Sequence, residues 1–213
     1  ERHATRHMAG WMLAYTDWEL LRHAPCAVLL VKVAKPYHRP VILTAIDPFH
    51  AHEKPARLDV ALLAASGSVA ESLKGKLHIV HCVPPSTLVA TGWASGPIVV
   101  DAGRGTKALS RAKQALAAEV ARHPLPSHKL AILEGAAREA IPQAARQVKA
   151  SLVVMGAVSR SGLKRLLIGN TAEAILDALT CDVLVIKPGR FQSKIARRSR
   201  GAQLMSLPNA MTG

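Results

Sequence analysis

Between Met155 and Glu173 the chain carries residues suited to holding an anion. The stretch reads Gly156-Ala-Val-Ser159-Arg160-Ser-Gly162-Leu-Lys164-Arg165-Leu-Leu-Ile-Gly169-Asn170-Thr171-Ala-Glu173. An apolar run precedes it and a helix-forming run follows it. A strand that turns through glycines into a helix leaves the first helical N–H groups unsatisfied at the positive end of the helix dipole. Gly156 and Gly169 permit close approach to the backbone, and Arg160, Lys164 and Arg165 add positive charge. Thr171 offers a hydroxyl, and Asn170 with Glu173 three residues on resembles a capping box. Asp47, at the end of another apolar run, is placed to accept a hydrogen bond from a ribose hydroxyl. The same residues also suit an ordinary loop, with the glycines shaping it, Asn170 capping its helix and the basic side chains solvated. Neither the G-x-x-x-x-G-K-[ST] phosphate loop nor the G-x-G-x-x-G dinucleotide fingerprint is present.

The elements that must position these residues alternate regularly. Val41 to Ile46, Leu77 to Val83, Lys129 to Leu133, Leu152 to Met155 and Asp182 to Ile186 read as strands. Pro55 to Leu73, Lys107 to Ala121, Ala136 to Ala150 and Asn170 to Leu179 read as helices between them. Gly75 is expected at the C′ stop of the first of these helices, and Pro142 in the first turn of the third or at a bend. Ser86 to Gly105, with four glycines, reads as a long connection. Strand-helix alternation predicts an α/β fold: an open five-stranded parallel sheet with helices on both faces, of Rossmann-like form. Ligands of such sheets bind beyond the carboxyl ends of the strands, where strand order reverses. That directs attention to Asp47, Cys82, Gly135 and the residues after Met155.

The chain also repeats itself. Thr16 to Lys32 aligns without a gap on Thr171 to Lys187, with Thr16/Thr171, Leu21/Leu176, Cys26/Cys181, Val28/Val183, Leu29/Leu184 and Lys32/Lys187 identical. Each copy reads as a short helix, a tight connection and a buried strand. Their separation is about one domain length. Residues 1–34 are therefore expected to be the end of an upstream domain, 35–40 a linker, 41–188 a complete domain and 189–213 a basic, disordered tail. The start at Glu1, without a signal pattern, is expected to be a cut in a longer protein.

From Val153 to Lys187 the wording is that of a known family. Gly156, Ser159 and Gly169 keep the spacing of its nucleotide motif (Gly, two residues, Gly, nine residues, Gly, then Ser or Thr), followed here by Asn170 and Thr171. The chain resembles the universal stress proteins over Val41 to Lys187, and as a whole the C-terminal portion of a tandem, E-type member. The resemblance implies ATP or another adenine nucleotide as ligand, with or without Mg²⁺. Adenine would lie near Asp47 and Cys82, and the phosphates along Gly156, Ser159, Gly169, Asn170 and Thr171, with Arg160 a further binding candidate from its charge. It further implies a non-enzymatic stress-response role, with at most slow hydrolysis, in the cytoplasm, and an unidentified protein partner. The departures are Ser159, where the motif has glycine, and Asn170, where it has Ser or Thr. A serine Cβ takes space and disfavours positive φ. These departures support a second expectation: a nucleotide-free scaffold or small apolar-ligand binder. Family members dimerise through their last strand, so Val28 to Val31 and Val183 to Ile186 are expected to pair, making the chain its own partner and covering two apolar edges.

Composition narrows the remaining classes. Hydrophobic residues are 49% of 213 and aromatics 3%, so the core must be aliphatic. No apolar run reaches the roughly 18–20 residues of a membrane helix. Cys26, Cys82 and Cys181 form no disulfide or zinc pattern and are expected to be buried thiols. His50, His52 and Glu53 lack helical ligand spacing, and His78 and His81 face opposite sides of one strand. No catalytic triad assembles. The net charge of +14 raises a nucleic-acid role through the basic tail, but the scattered aromatics offer no stacking platform.

Overall fold

The computed structural model describes residues 15–49, 58–83, 102–156 and 169–187. Among them lie six strands: β1 (Val28–Leu30), β2 (Val41–Ala45), β3 (Lys76–Val83), β4 (His128–Glu134), β5 (Leu152–Gly156) and β6 (Asp182–Ile186). Five helices accompany them: α1 (Tyr15–His23), α2 (Leu58–Ser72), α3 (Ala102–Val120), α4 (Ala137–Gln147) and α5 (Asn170–Ala178). They build one sheet in the order β1-β6-β5-β2-β3-β4. β6, β5, β2, β3 and β4 are parallel, and β1 joins β6 antiparallel.

Continuous apolar strands require cover on both faces, and the side chains divide accordingly. On one face Leu43, Val80, Val153 and Val183 pack with Leu21 of α1, Ile141 of α4 and Leu176 of α5. On the other, Ile42, Ile79 and Val154 pack with Leu58, Leu62 and Leu63 of α2 and Leu116 of α3. Strand order reverses between β5 and β2, so a crevice is expected above their carboxyl ends.

The β1–β6 contact has local two-fold symmetry. Val28 faces Val185, Leu29 faces Leu184 and Leu30 faces Val183. Leu29 and Leu184 are counterparts in the sequence repeat, so the symmetry axis passes between them. The arrangement is that of an isologous interface, in which each half meets the same patch of the other. The lysines obey the same rule. Lys32 Nζ donates to the carbonyls of Leu176 (2.6 Å) and Leu179 (2.7 Å) at the end of α5. Its counterpart Lys187 donates to those of Ala24 (2.6 Å) and Leu20 (3.3 Å) at the end of α1. Each ammonium thus caps the negative end of the other copy's helix. Burial pushes both lysines below their usual pKa, and nearby thiols and, for Lys32, carboxylates oppose the shift.

Several local expectations are corrected. α2 ends in a Schellman motif whose left-handed residue is Lys74 (φ 49), not Gly75. Gly75 donates to Ala70 O and Lys74 to Glu71 O. Gly75 is required for another reason: a Cβ there would lie 2.7 Å from the Pro40 carbonyl oxygen. α4 ends the same way, with Lys149 at φ 52 and Ala150 donating to Ala145 O. Left-handed backbone disfavours any residue with a Cβ. Lys149→Gly is expected to stabilise the chain by about 0.5–1 kcal/mol, read as a raised urea midpoint with an unchanged m-value.

Pro142 lies beyond the first turn of α4, buried inside the helix, and so removes the intrahelical donor that the Arg138 carbonyl would otherwise have. Gly103 and Gly105 belong to α3 rather than to a connection. The long apolar seam through Ala112, Leu116 and Val120 offsets a glycine cost of about 1 kcal/mol each. Cys181 is buried and Cys82 partly so, but Cys26 is exposed, because it sits in the bend before an edge strand.

Candidate functional site

Asp47 leaves the carboxyl end of β2 held from two sides. Its N–H donates to Asp59 Oδ2 at 3.2 Å. Asp59, 1% exposed in the first turn of α2, sits where the helix dipole favours a carboxylate. The carbonyl just before it, Ile46 O, lies 3.2 Å from His81 Nδ1. A carbonyl only accepts, so Nδ1 carries the proton. The Asp47 carboxylate stays 3.9 Å from the same nitrogen, beyond hydrogen-bond reach. His81 is 7% exposed. Phe49 packs on it at 5.5 Å between ring centroids, tilted by 58°, and the Arg111 guanidinium of α3 lies 5.5 Å from the Phe49 ring centroid. Sequence reasoning missed Asp59, Phe49 and Arg111 and considered His81 only as a metal ligand. An acidic residue opening a helix was the one available signal.

On the strand directly beside β2, β5 ends at Gly156. A Cβ there would lie 2.6 Å from Leu58 Cδ2, so the fully buried Leu58 alone accounts for this glycine. α5 begins at the same edge of the sheet. Its N-cap is Gly169, in extended conformation, which brings no side chain of its own to cap the helix. The expected capping box therefore does not form. Asn170 is the first helical residue and exposed, while Glu173 donates its N–H to Gly169 O and gives its carboxylate to Arg22 at 3.3 Å. The cross-repeat ion pair takes the acid that a box would need. Thr171 is half-buried. The backbone N–H groups of this first turn have no intrahelical acceptor.

Asp47, Gly156, Gly169, Asn170 and Thr171 thus share the carboxyl edge of the sheet. Cys82 follows His81 on β3 and points to the opposite face, packed against the α4/α5 core. Ser159, Arg160, Lys164, Arg165, His50, His52, Glu53 and the basic tail lie outside the described residues. Among those described, no cluster of His, Cys, Asp or Glu could hold a metal ion, and no helix is long and apolar enough to cross a membrane.

An open, mostly parallel sheet whose strand order reverses between β5 and β2 defines a doubly wound α/β domain. A profile of the Universal stress protein family matches residues 40–187. Universal stress protein E of Salmonella typhi is 33% identical over 190 residues, covering 84% of this chain and 57% of that protein. The Universal stress protein E homolog of Haemophilus influenzae is 30% identical over 184 residues, covering 82% and 56%. Among solved structures, the functionally unknown protein PA1789 of Pseudomonas aeruginosa PAO1 superposes with a TM-score of 0.64 at 32% identity, covering 84% of this chain and 58% of that one. The chain belongs to the universal stress protein family, and its likeness is to the E type. It spans just over half the length of these relatives.

Proposed function

We propose that this chain is a stress-response binding protein that takes ATP or a related adenine nucleotide at the carboxyl edge of β2 and β5, and is not an enzyme. The observation that carries this is the start of α5 on a glycine N-cap, at the edge of the sheet where Asp47 emerges. The residues fit such a ligand. The first-turn N–H groups of α5, with Thr171, would hold phosphate, and the Asp47 carboxylate would accept from a ribose hydroxyl. Arg160 and Ser159 would complete the phosphate side. Occupancy is the mechanism: the ligand stabilises the fold around the carboxyl edge of β2 and β5 and alters the surface met by a protein partner. Mg²⁺ would be held by the phosphates with water, since Asp59 is committed to the Asp47 backbone.

In a thermal-shift titration with ATP, ADP and AMP, with and without Mg²⁺, the melting temperature is expected to rise saturably. Gly169→Trp should abolish the rise, and truncation after Pro188 should keep it. A flat response to millimolar ATP would reject the nucleotide reading. It would favour a nucleotide-free scaffold or small apolar-ligand binder, for which the packing of Gly156 against Leu58 already speaks. Loss of polyanion binding on the same truncation would assign any nucleic-acid affinity to the tail.

For assembly, we read residues 1–34 as the end of a second domain of the same kind, and the chain as its own partner. The reciprocal β1–β6 register and exchanged lysine caps support a tandem protein that forms the dimer contact internally.

A further inference from the structure

The group that holds Asp47 from below is a histidine, and nothing in the phosphate side of the site requires one. β3 pairs with β2 there, Ile46 N–H donating to Val80 O at 3.0 Å. The very next residue of β3, His81, turns its ring back to the Ile46 carbonyl at 3.2 Å. The peptide entering Asp47 is therefore fixed at its oxygen by His81, and at its nitrogen by Asp59. A peptide is planar, so fixing both ends fixes the plane and the N–Cα line from which the Asp47 side chain departs. The ring is itself wedged by Phe49, which Arg111 covers. A column from α3 through Phe49 and His81 thus ends at one carboxylate. That carboxylate stays clear of the imidazole, 3.9 Å away, and only 14% of its side chain is exposed, so it opens in one restricted direction.

We infer that His81 is the positioning residue of this site: it aims the Asp47 carboxylate at one ribose hydroxyl and so makes the protein select ATP over the analogue that lacks that hydroxyl. The inference rests on the nucleotide reading above. A hydrogen bond to a charged acceptor is worth about 1.5–3 kcal/mol, so discrimination of about tenfold or more is available to a well-aimed carboxylate. A carboxylate free to swing shares its bonds with water and loses most of that preference.

The test is calorimetric titration of the full chain with ATP, 2′-deoxy-ATP and 3′-deoxy-ATP. The wild type is expected to prefer ATP about tenfold over one of the two deoxy forms. Asp47→Ala should remove the preference. His81→Ala should cut it below about threefold, while His81→Asn, whose amide can donate to Ile46 O, should restore most of it. Adding His81→Ala to Asp47→Ala should change the ratio no further. Circular dichroism melts establish that each variant is folded. The inference is overturned if folded His81→Ala keeps the wild-type ratio, or if His81→Asn behaves like alanine. If the wild type binds none of the three nucleotides, the nucleotide reading itself fails and takes the inference with it, an outcome distinct from unchanged selectivity.

Discussion

Asp182→Ala is expected to destabilise the chain by about 3 kcal/mol, two or more charge-assisted hydrogen bonds being lost at a buried site. Asp182 opens β6 and is 3% exposed. One oxygen accepts from the backbone N–H of Lys32 (2.7 Å) and Val33 (3.0 Å), and the other from the Tyr37 hydroxyl (2.6 Å). The side chain thereby fastens the segment between β1 and β2 to the amino end of β6. Alanine would remove the acceptor of the Lys32 and Val33 backbone N–H groups in a part-buried segment. The counterpart of Asp182 in the first repeat is Ala27, so this fastening exists on one side of the local two-fold only. The prediction is checked by urea unfolding, with Tyr37→Phe expected to cost much less, about 1 kcal/mol. The alkaline limb reports on the same contact. Burial first, and then the Asp182 carboxylate, push the Tyr37 phenol above its usual pKa. An unfolded phenol releases its proton near pH 10 while the folded one keeps it. Stability therefore falls as pH rises past that value, and Tyr37→Phe should flatten the fall.

The second large effect is at Gly156. Gly156→Ala is expected to cost about 2 kcal/mol by overpacking, because the new methyl would sit 2.6 Å from Leu58 Cδ2 and Leu58 is 0% exposed. Thermal melts of Gly156→Ala, Leu58→Ala and the double variant separate packing from ligand approach. Packing predicts strong non-additivity, the double variant being less destabilised than the sum of the two singles. Additivity, with Gly156→Ala near the wild type, would mean that this glycine is not held by its neighbour.

Much of the fold was legible because alternation and apolarity dominate this chain. Asp182 to Ile186 reads as a strand from five consecutive residues and is one. The repeat at Thr16 to Lys32 is likewise visible as identities, but its geometric consequence is not. Only the register of Leu29 on Leu184 turns similarity into symmetry. Where several physical demands compete for one residue, local rules misled. Gly75 looks like a helix stop, yet its lack of a Cβ serves the Pro40 carbonyl, and Lys74 takes the left-handed turn. Asn170 looks like a cap, yet Glu173 is drawn to Arg22 and the helix starts one residue earlier, on Gly169. The support of Asp47 was illegible for a different reason: Asp59, His81, Phe49 and Arg111 come from four separate segments, and none belongs to a motif.

The most direct test of the nucleotide account is amide chemical-shift mapping of the isotope-labelled chain during ATP titration. The account predicts saturable shifts concentrated at Asp47, Gly156, Gly169, Asn170 and Thr171, with His81 following Asp47. Shifts confined to the basic residues beyond Pro188, or none at millimolar ATP in a folded sample, would contradict it.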